Sequence, residues 1–562
     1  MIKTWYVSRF KAICDDAQTL EFKPLTIFAG TNSSGKSTVI QSILLSSQAL
    51  YQQRPIIPLN GEIISLGTVD DVWNRGDLSE PIDLIGTFTS RSGEEVQFKV
   101  TLVPDNLPQQ APSAATQIIV QEGSYTCQTA DYHYWLNVKL EQTESGKRHL
   151  LAHLSPQAEA ELQERVASRG EQLNALLVDS EVVLDRFVPG SIRARVLRVG
   201  TQEFEKVFLI DPRTADLTSQ ERETALADDY AELVFSAIKR LKLPSLPGRK
   251  RNSNAQLISG TYAEWFDNLD LRDKERLKEF FVAAFDDMQP EGLRRVRSHG
   301  LAKIQNTIHK ELTEKLRYLS AYRIAPKALF AIDEVPIWSD VGINGSHIAT
   351  ALKTYGQQVV EFFHPEDRVL DRRPLIEAVV IWLRHFALVE NIETNDLGKL
   401  GTFLNVRVAG LEKELDLTSI GFGTSQVLPI IVQGLLTPPD GIFIIEQPEV
   451  HLHARVQSLL AYFFYGLTQT GRQCIVETHS EHIVNFLRAL MADSKTKFED
   501  DVQIYFANRD PERGTSFEPI RMGSKGRIVN LPPGFMDESA RLATMILQGH
   551  FEYDAVEKDG AS

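Results

Sequence analysis

The run Gly30-Thr31-Asn32-Ser33-Ser34-Gly35-Lys36-Ser37 constrains this chain more than any other stretch. An apolar run, Leu25-Thr26-Ile27-Phe28-Ala29, leads into it. Val39, Ile40, Ile43, Leu44 and Leu50 follow, spaced to face a core from a helix. Strand, loop and helix are the context in which G-x-x-x-x-G-K-[ST] binds phosphate. The glycines let the loop wrap until its N–H groups converge on phosphate oxygens. The lysine reaches the β/γ-phosphates, the serine hydroxyl coordinates Mg²⁺, and the helix N-terminus adds its dipole. Gly30, Thr31, Asn32, Ser33, Ser34, Gly35, Lys36, Ser37 and Thr38 are therefore the expected nucleotide-binding residues. ATP and Mg²⁺ are the expected cofactors.

Three further segments have the chemistry that such a loop needs. Ile442-Phe443-Ile444-Ile445-Glu446 is an apolar strand ending in an acid, the Walker B layout that holds Mg²⁺ through water. Gln447, Pro448 and Glu449 follow it. The run Arg472–Glu477 reads as another strand, ending in Thr478-His479-Ser480, where His479 can sense a γ-phosphate. Ser419 to Gln426, with Gly421, Gly423, Ser425 and Gln426, opens a helix near Val427 and forms a second anion-binding surface. About 410 residues separate Lys36 from Glu446, which indicates a split ATPase carrying an insertion.

The rest of the chain divides around these motifs. Short β-rich runs from Ile63 to about Val103 read as an antiparallel extension. The stretch PDNLPQQAPSAATQ, from Pro104, marks a boundary. Residues 116–317 read as a mostly helical insertion, with helices starting at Ser155-Pro156 and near Thr218 (Glu221 completing a capping box), and an aromatic-rich one from Tyr262 to Met288. One β-like run, YHYWLNVKL, interrupts it. No heptad pattern is sustained, which argues against a coiled-coil arm. An α/β alternation resumes at Tyr318, and the tail from Asp501 holds two strands. The expected units are 1–115, 116–317, 318–500 and 501–562, an α/β head with a mixed sheet split by the insertion.

Composition excludes several alternatives. Three cysteines among 562 residues, Cys14, Cys127 and Cys474, are too few and too scattered for a disulfide scaffold, and fit a reducing cytoplasm. The apolar stretch Leu375–Val389 is broken by Glu377, Arg384 and His385 and is too short to span a bilayer, so no membrane association is expected. The net charge of −15 argues against a uniformly DNA-coating surface. Against that background Lys239, Arg240, Lys242, Arg249, Lys250 and Arg251, with Arg294, Arg295, Arg297 and Lys303, form basic stretches that suit nucleic acid or a solvated loop equally. Glu449, His451, His453, His479 and His482 imitate a metal cluster, but His451 and His453 follow directly on the Walker B acid and read as part of that motif.

Taken together, AGTNSSGKST, SIGFGTSQ, IFIIEQPEVHLH and VETHSEH make the chain resemble ABC-type ATPases of the Rad50/SMC/RecF branch, related to the overcoming-lysogenization-defect proteins. With the tail near NLPPGFMDES, it looks like a bacterial AAA-type group that carries a C-terminal domain of unknown function. The broader class includes ATPase subunits of anti-phage systems such as the Septu type, often paired with a nuclease. The resemblance covers about 1–110 and 318–500. It implies a homodimer or higher oligomer in which ATP on Lys36 of one copy is closed by Gly421, Gly423, Ser425 and Gln426 of another. It also implies a companion effector such as a nuclease, or DNA, as the thing regulated. A scaffold gated by nucleotide, and a DNA-repair or chromosome-maintenance ATPase, are the rival readings.

The chain departs from that family at one position. The usual pair at the Walker B end is Asp-Glu, with the second acid as base; here it is Glu446-Gln447. An amide cannot accept the proton. Either Gln447 orients water, or Glu449 takes the base role, or hydrolysis is slow and ATP acts as a clamp. His479 completes the expected catalytic set.

Overall fold

The computed structural model of the chain describes residues 1–548, less 16, 52–56, 91–92, 106–117, 130–132, 143–147, 157–173, 186–187, 200–205, 210–239, 241, 243–247, 253–254, 259–269, 271, 274–275, 277–293, 297–298, 331–339, 399–400, 412, 494–500, 524–525, 531, 533–534 and 536–537. The chain forms two compact units, Met1–Val120 with Asn306–Ser562, and Gln121–Gln305.

The centre of the first unit is a six-stranded sheet. Its order is Leu316–Leu319, Ile442–Glu446, Gln473–Thr478, Leu25–Gly30, Val502–Asp510 and Gly514–Ile520. The first five are parallel and the last is antiparallel. Leu25, Ile27, Phe28, the four residues Ile442–Ile445, and Cys474–Val476 are fully buried. Parallel strands covered on both faces read as unbroken apolar runs, and that is how these were legible. Leu25 and Ile27 face a large core with Val427, Ile430, Leu460 and Phe463 from two long helices, Phe422–Leu436 and Ala454–Gln469. On the alternate positions Phe28 packs with Phe22, Tyr505 and Phe517.

An antiparallel sheet in the same unit runs Leu20–Glu21, Ile2–Val7, Ile82–Thr89, Glu95–Pro104. It matches the extension expected from the β-rich runs. Trp5 is its anchor: its indole N–H donates to Ser42 Oγ at 2.9 Å, tying this sheet to the helix Lys36–Tyr51 behind the phosphate loop. Gly86 lies beneath Trp5 and Phe98, and a Cβ there would fall 2.5 Å from the Phe98 ring. The apolar stretch at Leu375 is a helix, Leu375–His385, packed in the core; no helix among the described residues is long and apolar enough to cross a membrane.

In the second unit the expectation of a mostly helical insertion is corrected for the described residues, which are largely strand. An antiparallel series comprises Ile118–Gln128, His133–Gln142, Arg148–Leu154, Asn174–Asp185, Val188–Val199 and Arg294–Val296. A separate three-stranded sheet holds Lys206–Leu209, Gly248–Asn252 and Ala255–Ile258. The physical reason is period-two alternation. In His133–Gln142, Tyr134, Leu136 and Val138 are buried, whereas His133, Asn137 and Lys139 are exposed. Pro156 is helical as expected after Ser155; the helix near Thr218 lies outside the described residues, and the one over Tyr262–Met288 is described only at Asp270, Arg272, Asp273 and Arg276. Arg249, Lys250 and Arg251 belong to a strand; Lys239 lies outside the described residues.

The core cluster is a packed solid rather than a loose collapse. Trp382 is 1% exposed and meets Phe463 edge-on, with ring centroids 5.0 Å apart. Trp382→Ala should cost about 3–5 kcal/mol through the cavity it leaves. Circular dichroism through a urea titration would read this as a lowered midpoint at unchanged slope; a loss under about 1 kcal/mol would contradict the packing.

Candidate nucleotide site

Four strand ends converge at the carboxyl edge of the central sheet. The loop 30–35 leaves the strand Leu25–Gly30 with Gly30 at φ 151°, Ser33 at φ 59° and Gly35 at φ 90°. A Cβ at Gly30 would lie 2.7 Å from the Ala507 carbonyl, and one at Gly35 would collide with the Thr515 side chain. Both glycines are therefore required by close approach as well as by backbone angle. Thr31, Asn32 and Ser33 are exposed, whereas Ser34, Lys36 and Thr38 are buried. Lys36 curls over its own loop: Nζ donates to Thr31 O at 2.6 Å and Gly30 O at 3.2 Å, and lies 3.4 Å from Ser34 Oγ. Burial pulls its pKa down, opposed by Glu477 and Glu449.

The acid nearest the loop is one the motif reading missed. Ser37 Oγ donates to Glu477 Oε1 at 2.9 Å. Glu477 lies on the strand Gln473–Thr478, which separates the Walker B strand from the loop's own strand, and its register partner is Glu446. Its other oxygen, Oε2, is buried with no hydrogen-bond partner among the described residues. Glu446 is pushed up to about 8, first by burial and then by Glu477, with a hydrogen bond from Tyr318 opposing. Burial raises Glu477 as well, against Ser37 and Lys36. One hydroxyl and two adjoining carboxylates, Glu477 buried and Glu446 half-buried, suit a hard divalent cation, which takes oxygen donors and lowers the carboxyl pKa on binding. Among the described residues no group of three or more His, Cys, Asp and Glu has a metal-holding arrangement.

Gln447 and Glu449 are held very differently. Gln447 sits at φ 43°, a strained angle for a non-glycine residue. Its N–H donates to Glu477 O at 2.7 Å and its carbonyl accepts from Arg323 Nη2 at 2.9 Å. Its side-chain amide makes no hydrogen bond among the described residues. Glu449 has both oxygens engaged: Oε2 accepts from Thr478 Oγ1 at 2.8 Å and Oε1 from the His479 N–H at 2.7 Å. Burial raises its pKa, with the His479 N–H the first of the opposing effects. Burial, followed by Lys36, lowers the His479 pKa, with the Gly30 backbone opposing, so the imidazole is neutral at pH 7.

The second loop stands apart from the first. Gly421 caps the helix Phe422–Leu436, and Phe422 is exposed against His451, ring centroids 4.9 Å apart. Gly423 has room beside Leu452. Ser425 Oγ donates back to the Phe422 carbonyl at 2.7 Å. Gln426 is buried, and its Oε1 accepts from Arg323 Nε at 3.2 Å. Among the described residues no hydrogen bond links 419–426 to 30–38. Arg323, which bridges Gln426 to the Gln447 carbonyl, had no sequence signal; burial lowers it to about 10. Glu477 did have one, as a lone acid in an apolar run.

Residues 348–485 match the family described as "AAA domain, putative AbiEii toxin, Type IV TA system", and residues 499–544 match "Protein of unknown function (DUF3696)". Residues 348–485 thus carry an AAA-type ATPase domain, and a DUF3696 segment follows it. The first match takes in the 419–426 loop, the Walker B strand and His479; the phosphate loop lies outside it. The chain is similar to an Smc head domain from Pyrococcus furiosus, with an extended coiled coil and bound to the C-terminal domain of ScpA, at 10% identity and TM-score 0.33, over 97% of this chain and 99% of that one. It is also similar to the SMC head domain from Thermotoga maritima (9%, TM-score 0.31, 93% and 99%) and to an SmcHead bound to the C-winged helix domain of ScpA (9%, TM-score 0.34, 92% and 97%). No curated protein matches the chain.

The raised carboxyls make the metal-free protein pH-sensitive. Below about pH 4.5 Glu446 is protonated in both folded and unfolded states. Between there and about 8 only the unfolded state ionises, so stability falls as pH rises through this window. In EDTA the melting temperature should decline from pH 5 to 8, and Glu446→Gln should flatten the decline. An unchanged slope in the variant would rule out Glu446 as its source.

Proposed function

We propose that the protein is an ATP-dependent regulator that works as a dimer or higher oligomer, binding ATP and Mg²⁺ between copies and controlling a companion effector such as a nuclease, or DNA, in anti-phage defence. The observation that carries the reading is the hydrogen bond from Ser37 to Glu477 beside Glu446, directly under a phosphate loop, on a chain whose second glycine loop makes no hydrogen bond to the first among the described residues. Two loops on one chain are accounted for if each completes a site on another copy. The exposed Phe422 at the second loop suits such a contact. The toxin system in the matched family's description supports a defence role.

Lys36 and the loop N–H groups bind the phosphates. Ser37, Glu446 and Glu477 hold Mg²⁺, which when bound neutralises phosphate charge. Gly421, Gly423, Ser425 and Gln426 close the site from the second copy, Gly421 and Gly423 by their N–H groups, with Ser425 and Gln426 shaping the helix start. His479, neutral and poised at Gly30, contacts the γ-phosphate. Glu449, with both oxygens already engaged, holds the His479 loop in place, and Gln447, whose amide is free of hydrogen bonds among the described residues, orients the water. Turnover is slow because no base sits at position 447. In the second reading ATP is a clamp with negligible turnover; Gln447 favours it equally.

Phosphate release and oligomeric mass, taken on one sample with and without Mg-ATP, test this. Lys36→Ala should weaken ATP binding by about 10- to 100-fold, the worth of one or two charged hydrogen bonds. Gln447→Glu should raise turnover by about 10²-fold by restoring a base. Assembly with ATP but no phosphate release would favour the clamp; a wild type that binds no ATP would sink both readings.

A further inference from the structure

The segment 499–544 is matched only as a stretch of unknown function, yet its hairpin is built into the back of the phosphate loop. Val502–Asp510 pairs in parallel with Leu25–Gly30, carrying Ala507 to the register position of Gly30. The returning strand starts at Gly514, whose neighbour Thr515 is buried. Thr515 Oγ1 donates to the Ser34 carbonyl at 2.9 Å, and the same side chain fills the space against Gly35. Arg509 Nη1 donates to the Ser33 carbonyl at 3.3 Å from an exposed position. Thr515 is in turn fixed from behind, its N–H donating to Ala12 O at 2.8 Å.

These contacts reach carbonyls, and that gives them a consequence for the opposite side of the loop. A trans peptide points its C=O and the next N–H in opposite directions. Pinning the Ser34 carbonyl toward the hairpin turns the Gly35 N–H away from it. Pinning the Ser33 carbonyl does the same for the Ser34 N–H, which donates across the loop to Thr31 O at 3.4 Å. Ser33, at φ 59°, holds an angle that a non-glycine residue does not favour on its own, whereas Gly35 adopts its φ of 90° freely.

We propose that the hairpin of this segment is the positioning device of the phosphate loop: Thr515 and Arg509 hold the loop's carbonyls back so that its N–H groups face phosphate. This rests on the nucleotide-binding reading above and gives the segment its role in it. ATP affinity, the melting temperature of the nucleotide-free protein, and rescue by a hydroxyl together separate positioning from mere folding. Thr515→Val keeps the shape and removes the donor. It should weaken ATP binding about tenfold while the nucleotide-free melting temperature stays near wild type, and Thr515→Ser should restore affinity. Arg509→Ala, at an exposed site that leaves folding intact, should weaken binding about threefold. Wild-type affinity in Thr515→Val, or a Thr515→Ser variant as weak as it, would overturn the proposal. If Thr515→Val does not fold, wild-type affinity in Arg509→Ala overturns it. A wild type that binds ATP alongside unaffected variants defeats this inference alone; a wild type that binds none defeats the nucleotide reading as well.

Discussion

The hydrogen bond between Ser37 and Glu477 joins residues 440 positions apart, and the rest of the site is arranged around the sheet that makes it. Parallel register sets Glu446 opposite Glu477 and Glu477 opposite Phe28, two residues before the loop begins. Side chains at the ends of adjacent parallel strands lie about 5 Å apart, so the sheet edge sets the two acids side by side beneath the loop that delivers Lys36 and Ser37. The insertion between the two halves of the chain is then a topological detour that leaves the edge intact.

That edge is electrostatically costly. A buried and a half-buried carboxyl adjoin, Lys36 is desolvated, and Glu477 Oε2 has no hydrogen-bond partner among the described residues. By contrast, the buried Arg472 has its donors engaged: it donates to the carbonyls of Leu435, Thr437 and Glu361 and to the Thr470 hydroxyl. The contrast marks the strand ends as a site built for an incoming charge rather than for stability. The strained Gln447 belongs to the same economy, since its angle is held by Glu477 on one side and Arg323 on the other.

Arg323 and Thr515 show how the surroundings work. Arg323 ties the start of the helix Phe422–Leu436, and with it the second anion-binding loop, to the turn after the Walker B strand. Thr515 ties the phosphate loop to a hairpin near the end of the chain. In both cases a residue far away in sequence controls the backbone of a motif by holding its carbonyls or amides. Motif reading detects the loop and is blind to its supports.

What the sequence by itself determined follows from local chemistry. Gly30 through Ser37, the apolar strands on either side of them, Glu446 and the strand leading to His479 were all legible, because buried parallel strands and glycine loops carry short-range patterns. The β-built second unit was misread over its described residues, since helix-like spacing in a long polar stretch competes with alternation that only cross-strand pairing rewards. Tertiary structure alone decided that Glu477 rather than Glu446 receives the Ser37 hydroxyl, that Gln426 turns inward to Arg323, and that Thr515 backs the loop. Those contacts depend on strand order and register, which arise from packing the whole sheet and leave no trace in neighbouring residues.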